Sequence, residues 1–178
     1  SWSKGATQVT LLLPMGRALP DVLCGAGLES AIGTARAGDL LQAGQLAIKL
    51  LPMTSQAGYD RLLWSCDLNL VRGEDSFVRA QWAARPFLWH IYQQEEEAHL
   101  VKLAHFLDHY LEALPADDGQ WLRELNLALN RGEDCSELWA QWPIHGTLWQ
   151  QHARSWSQKL LREGDLVTRL VKFLESRI

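Results

Sequence analysis

The sequence predicts an α/β fold, a parallel sheet flanked by helices with a helical C-terminal tail. Three observations lead there. Short apolar runs alternate with helical patterns over the first two thirds of the chain. The run "PFLWHIY" is apolar on both of its alternating faces, as a central parallel strand is. After "LPADDG" the pattern becomes purely helical. At 178 residues, 47% of them hydrophobic and 21% charged, the chain can enclose one real core. It is therefore read as one domain over 1–178, or a large fragment of something two-domain, with 117–178 as the helical tail of that domain.

"QVTLLLP" (8–14) is a short apolar run closed by Pro-Met-Gly and reads as a buried strand. "LPDVLCGAGLESAIG" offers a helix with Pro20 near its start, weakened by Gly25 and Gly27. "GQLAIKLLP" (44–52) is a second strand, "AGYDRLLWSC" a short helix and "LNLV" (68–71) a third strand. A helix over 75–84 and a fourth strand over 86–92 follow. Next comes a long amphipathic helix over 95–114. Leu100, Leu103, Leu107, Leu111 and Leu114 share one of its faces. Three glutamates in its first turn suit the positive end of the helix dipole. The tail divides into helices over 120–130, 136–142, 147–162 and 166–176.

Composition excludes several classes of function. A net charge of −4 with no dense basic run argues against nucleic-acid binding. No uncharged apolar stretch of membrane-spanning length occurs, and "SWSKGATQVTLLL" lacks the apolar core and cleavage site of a secretory signal. Cys24, Cys66 and Cys135 are widely spaced, without CxxC or a zinc pattern, and read as free thiols in a reducing cytoplasm. His105 and His109 stand four apart, but without H-E-x-x-H or a third ligand nearby no metal is expected. Neither a P-loop nor G-x-G-x-x-G is present, and no resident cofactor is expected. Most of the nine tryptophans are expected in packing.

Ligands of open parallel sheets bind beyond the carboxyl ends of the strands. Three such ends are "LPMTSQ", "RGEDS" and "HIYQQ", and the fold directs them toward one crevice. The second is the richest in chemistry. Gly73 permits a sharp turn and close backbone approach, and the helix after it presents free N–H groups that favour an anion such as a diphosphate. Ser76 adds a hydroxyl, and Arg72 adds a fork of donors suited to phosphate. Glu74 and Asp75 would repel that phosphate, so one is read as a cap or a ribose hydroxyl acceptor and the other as reaching the reacting group. The plainer alternative is ordinary helix capping, with Arg72 paired to Glu74 on the surface.

The run "YDRLLWSCDLNLVRGEDSFVRAQWAARPFLWHIY", with "AHLVKLAHFLDHYL" and "LLPMTSQ" around it, resembles the signature of the EarP family. These are protein-arginine rhamnosyltransferases of elongation factor P. The resemblance is dense over 50–111 and weaker, in the same order, elsewhere. It implies a Rossmann-like domain, the C-terminal, nucleotide-sugar-binding half of a two-domain GT-B glycosyltransferase. The donor substrate it implies is dTDP-β-L-rhamnose, and the acceptor an arginine of elongation factor P, with inversion at the sugar carbon. By resemblance Arg72, Gly73, Asp75 and Ser76 bind the donor, and Glu74 is the essential glutamate. Gln56 contacts the base and Tyr92 lies near the diphosphate.

Two departures stand out. Met53 occupies the place of an aromatic residue that stacks on thymine, and a thioether covers less of a ring face. Gln93 replaces a proline. The resemblance also implies that an N-terminal acceptor domain of the same enzyme, holding the general base, lies outside this chain, as does the first strand and helix of the donor domain. The chain alone is then expected to transfer nothing. Two other readings stay open. One is a non-catalytic α/β interaction module using Trp139, Trp142, Trp149 and Trp156 as an apolar patch. The other is a transferase using a different sugar nucleotide.

Overall fold

β3 (Leu46–Leu51) is buried along most of its length and organises the first part of the chain. It pairs in parallel with β1 (Val9–Pro14), from Val9 opposite Leu46 to Pro14 opposite Leu51. On its other edge it pairs antiparallel with β2 (Leu40–Ala43) through a two-residue turn that places Gly44 at φ 58°. The computed structural model describes residues 2–177, which divide into two units between Tyr59 and Asp60.

In the first unit α1 (Leu19–Gly25) starts with Pro20 in its first turn and stops at Gly25, short of the run that suggested it. Its Leu23 is fully buried with Leu13, Leu46, Ile48 and Leu50. Each such leucine or isoleucine contributes roughly 1.5–3 kcal/mol by leaving water. The sequence predicted one parallel sheet. The strands instead form two sheets, a mixed three-stranded one here and a two-stranded one in the second unit. β2 went unpredicted because it is short and alternates over only four residues. The unit boundary falls inside α2 (Gln56–Ser65).

In the second unit β4 (Asn69–Val71) pairs in parallel with β5 (Phe87–Trp89), through α3 (Glu74–Trp82). All three residues of β5 are buried, in keeping with their apolar character on both faces. The strand is shorter than the run 86–92. After His90 N–H donates to Val71 O, the next amide, Ile91 N–H, donates to the side chain of Asn130 and pairing stops.

α4 (Ala98–Tyr110) begins three residues later than the glutamate triplet suggested. Glu96 and Glu97 take left-handed φ values of 55° and 57°, so the acids precede the helix rather than fill its first turn. α5 (Ala116–Arg131), α6 (Ser136–Ala140), α7 (Trp142–Glu163) and α8 (Leu166–Glu175) complete the tail. α7 starts five residues before the stretch expected for it, with Pro143 in its first turn. The core of this unit is aromatic. Phe77 stacks on Trp89 at 3.8 Å, and Phe106 stacks on Tyr110 at 5.2 Å. The buried Tyr110 phenol accepts from Trp149 Nε1 at 3.1 Å, and burial raises its pKa.

Candidate functional site

The ends of β4 and β5 lie side by side, and the residues following them make an open corner. Arg72 is the first residue after β4. Gly73 caps α3 with φ 77° and ψ 159°, a backbone state that side-chain-bearing residues avoid. A Cβ there would meet Tyr92 Cε2 at 3.4 Å, an ordinary contact, so it is the backbone conformation that calls for glycine. Gly73 has no side chain to cap α3, and Glu74 N–H turns to its own carboxylate. The other first-turn N–H groups are directed outward at the positive end of the helix.

Arg72 and Glu74 do not pair. The Arg72 guanidinium lies over the Tyr92 ring, 4.6 Å from its centroid, and Arg72 is exposed. Glu74 Oε1 accepts from Lys102 Nζ at 2.8 Å, and Asp75 Oδ2 accepts from Arg79 Nε at 2.9 Å. Arg79 is shared with Asp60, whose bonds and those of Asp75 keep it firmly protonated. Both acids are therefore neutralised by other cations, and among the described residues Arg72 stands in no ion pair. The hydrogen bond from Lys102 holds the Glu74 carboxyl below the usual carboxylate range, with the residue's own amide adding to it. Ser76 is half-buried beside this turn and Tyr92 is half-exposed.

Of the sequence-predicted residues, the second unit brings together Arg72, Gly73, Glu74, Asp75, Ser76 and Tyr92. Met53 and Gln56 belong to the first unit, where Met53 is 75% exposed just beyond β3 and Gln56 opens α2. His90 is half-buried between the corner and the core. Burial, then the charges of Arg72 and His99, lower its pKa.

Two residues of the corner escaped the sequence. Asn130, from α5, donates to Trp89 O at 2.8 Å and accepts from Ile91 N–H at 2.9 Å, thereby fixing the segment that carries Tyr92. Lys102, from α4, meets Glu74 across 28 positions of chain. Neither belongs to a local motif, so only the fold reveals them.

A groove of about 420 Å³ opens beside Lys102, walled by Phe77, Trp89, Phe106 and Trp156. Trp156 donates to Gln81 Oε1 at 3.0 Å. Trp139 stacks on Trp142, which meets the buried Trp149 edge-on. Of the four tail tryptophans Trp149 is buried and Trp139, Trp142 and Trp156 are partly buried. No helix among the described residues is long and apolar enough to cross a membrane, and no cluster of three metal-binding side chains occurs among them.

Residues 1–175 match the family model for the elongation-factor P (EF-P) rhamnosyltransferase EarP. A protein-arginine rhamnosyltransferase of Pseudomonas aeruginosa is 47% identical over 171 residues, which are 96% of this chain and 44% of that protein. One from Shewanella oneidensis is 42% identical over 177 residues, 97% of this chain and 44% of that protein. A solved structure described as the structural basis for EarP-mediated arginine glycosylation of translation elongation factor EF-P is also similar. It is 40% identical, with a TM-score of 0.81, over 99% of this chain and 55% of that one. This chain thus spans less than half the length of the curated relatives it matches. With its strand-end corner, nearly complete coverage by the family model and close structural likeness, the chain belongs to the EarP family of EF-P rhamnosyltransferases.

Proposed function

We propose that this chain is the donor-binding part of an inverting GT-B glycosyltransferase that moves L-rhamnose from dTDP-β-L-rhamnose to an arginine of elongation factor P. One observation carries the reading. At the end of β4 a helix N-terminus headed by glycine and an arginine that no carboxylate engages among the described residues stand together, while the adjacent acids are held by Arg79 and Lys102. That arrangement suits a diphosphate.

In transfer, the bond from the sugar carbon to the diphosphate oxygen breaks and a bond to an arginine nitrogen forms. The leaving dTDP takes the electron pair, and the guanidinium loses a proton to a base supplied from outside this chain. Arg72, Ser76 and the α3 amides answer the charge that grows on the diphosphate. Glu74, kept ionised, holds the sugar or the incoming guanidinium. A protonated guanidinium is a poor nucleophile, so its orientation and deprotonation are central to the step.

Calorimetry of this chain against dTDP-β-L-rhamnose, dTDP-glucose, UDP-glucose and ATP tests the reading. The expected result is weak, saturable binding of dTDP-β-L-rhamnose that disappears in Arg72→Ala. Equal binding of all four, or no dependence on Arg72, rejects it. In a full-length enzyme that carries this chain, Glu74→Ala should abolish transfer and leave the fold intact.

A further inference from the structure

We propose that Lys102 is a positioning residue for this reaction, holding Glu74 in the orientation that transfer needs; the inference rests on the reading of the corner given above. Lys102 belongs to the second turn of α4 and Glu74 to the first residue of α3, so the contact joins two separate helices. Its ammonium sits 2.8 Å from Glu74 Oε1 and 5.5 Å from the centre of the Trp89 ring.

The floor under this contact is rigid. Trp89 is 2% exposed, stacks on Phe77 and is crossed edge-on by Phe106. Its carbonyl is gripped by Asn130. Phe77 lies one turn after Glu74, so the same helix supplies the carboxylate and part of the platform for its partner. Most surface lysines have no such platform, and their ammonium groups wander.

Stability does not explain the pair. Both side chains are well exposed, at 44% for Lys102 and 64% for Glu74, and exposed ion pairs add little to folding. Transfer gives it a purpose. A carboxylate in the first turn of α3, next to a bound diphosphate, would be repelled by the phosphates and would compete for the amides they use. The cation at Oε1 offsets that charge and fixes the carboxylate toward the reacting end of the donor. A small misplacement there costs rate rather than affinity.

Kinetics in a full-length enzyme that carries this chain decide the matter. Lys102→Met should lower kcat about 10- to 100-fold while donor KM changes less than about threefold. Its melting temperature should stay within about 2 °C of the parent. Lys102→Arg, which keeps the cation and its donors, should recover most of the loss. Combining Lys102→Met with Glu74→Gln should be no worse than Glu74→Gln alone, since the lysine acts through the carboxylate. A Lys102→Met enzyme with kcat within twofold of the parent overturns the proposal, as do losses that multiply in the double variant. If Glu74→Gln itself is fully active, the reading of the corner fails instead.

Discussion

The tetrapeptide Arg-Gly-Glu-Asp occurs twice in this chain, at 72–75 and again at 131–134, and the fold uses the two copies in opposite senses. The first follows a strand. Gly73 takes a positive φ of 77° with ψ 159°, and α3 begins immediately, turning N–H groups outward. The second follows a helix. Gly132 is left-handed at φ 71° and ψ 24°, and its N–H and that of Glu133 fold back on Ala128 O to close α5. Asp134 then spends its carboxylate locally, accepting from Ser136 N–H at the start of α6. Four identical residues make an open amide corner in one place and a sealed helix end in the other. The element that precedes the motif decides which polar groups are left for a ligand.

Glycine substitution at each copy should separate the two most sharply. Gly73→Ala places a side chain in a backbone region that is nearly glycine-only, at a cost of roughly 1–3 kcal/mol. Its Cβ would also touch the Tyr92 ring that supports Arg72, at ordinary contact distance. Donor binding should weaken at least about 30-fold and the melting temperature fall by about 5 °C. Gly132→Ala meets open space but keeps the left-handed strain, about 1–2 kcal/mol. It should melt about 4 °C lower and bind donor as the parent does. Equal binding losses at both glycines would erase the distinction.

The arginines come next. Arg72→Ala removes a charge-assisted contact to phosphate worth about 1.5–3 kcal/mol, so the donor Kd should rise about 10- to 100-fold. Arg131→Ala removes an exposed cation from a helix C-terminus and should leave Kd within about twofold. Calorimetry on the same chain reads both.

The sequence discloses the first corner because its signals are local. An apolar run, a glycine and a helical pattern adjoin, and together they imply outward amides. The four strands it shows are present, and so are the helices, with shifted ends. What it conceals is non-local. Nothing in a helical stretch announces that Asn130 will take the amide of Ile91 and end β5, or that Lys102 will reach Glu74. The glutamates before α4 misled because the dipole argument presumes that the helix has already begun; left-handed backbone at Glu96 and Glu97 delays it. β2 was hidden by its brevity, although Gly44 between two short apolar runs is a hairpin signal. Nor does the sequence show that Trp139 stacks on Trp142 and that Trp142 meets the buried Trp149 edge-on.

The smallest effect belongs to the second copy. Hydrogen bonds from Ser136, side chain first and then backbone, hold the Asp134 carboxyl below its ordinary range. A carboxyl with a depressed folded-state pKa contributes stability that is complete above the unfolded value, about 3.9, and is lost as pH falls through the folded one. Asp134→Ala should therefore lower the melting temperature by roughly 2 °C at neutral pH. As pH falls through the depressed folded-state value the variant and parent should converge, because the parent's carboxyl takes up a proton there. Donor binding should not change, since this carboxylate opens α6 and faces no ligand. A binding loss as large as that of Arg72→Ala would mean that the second copy also belongs to the site, and the contrast between a helix that opens and a helix that closes would no longer account for their different uses.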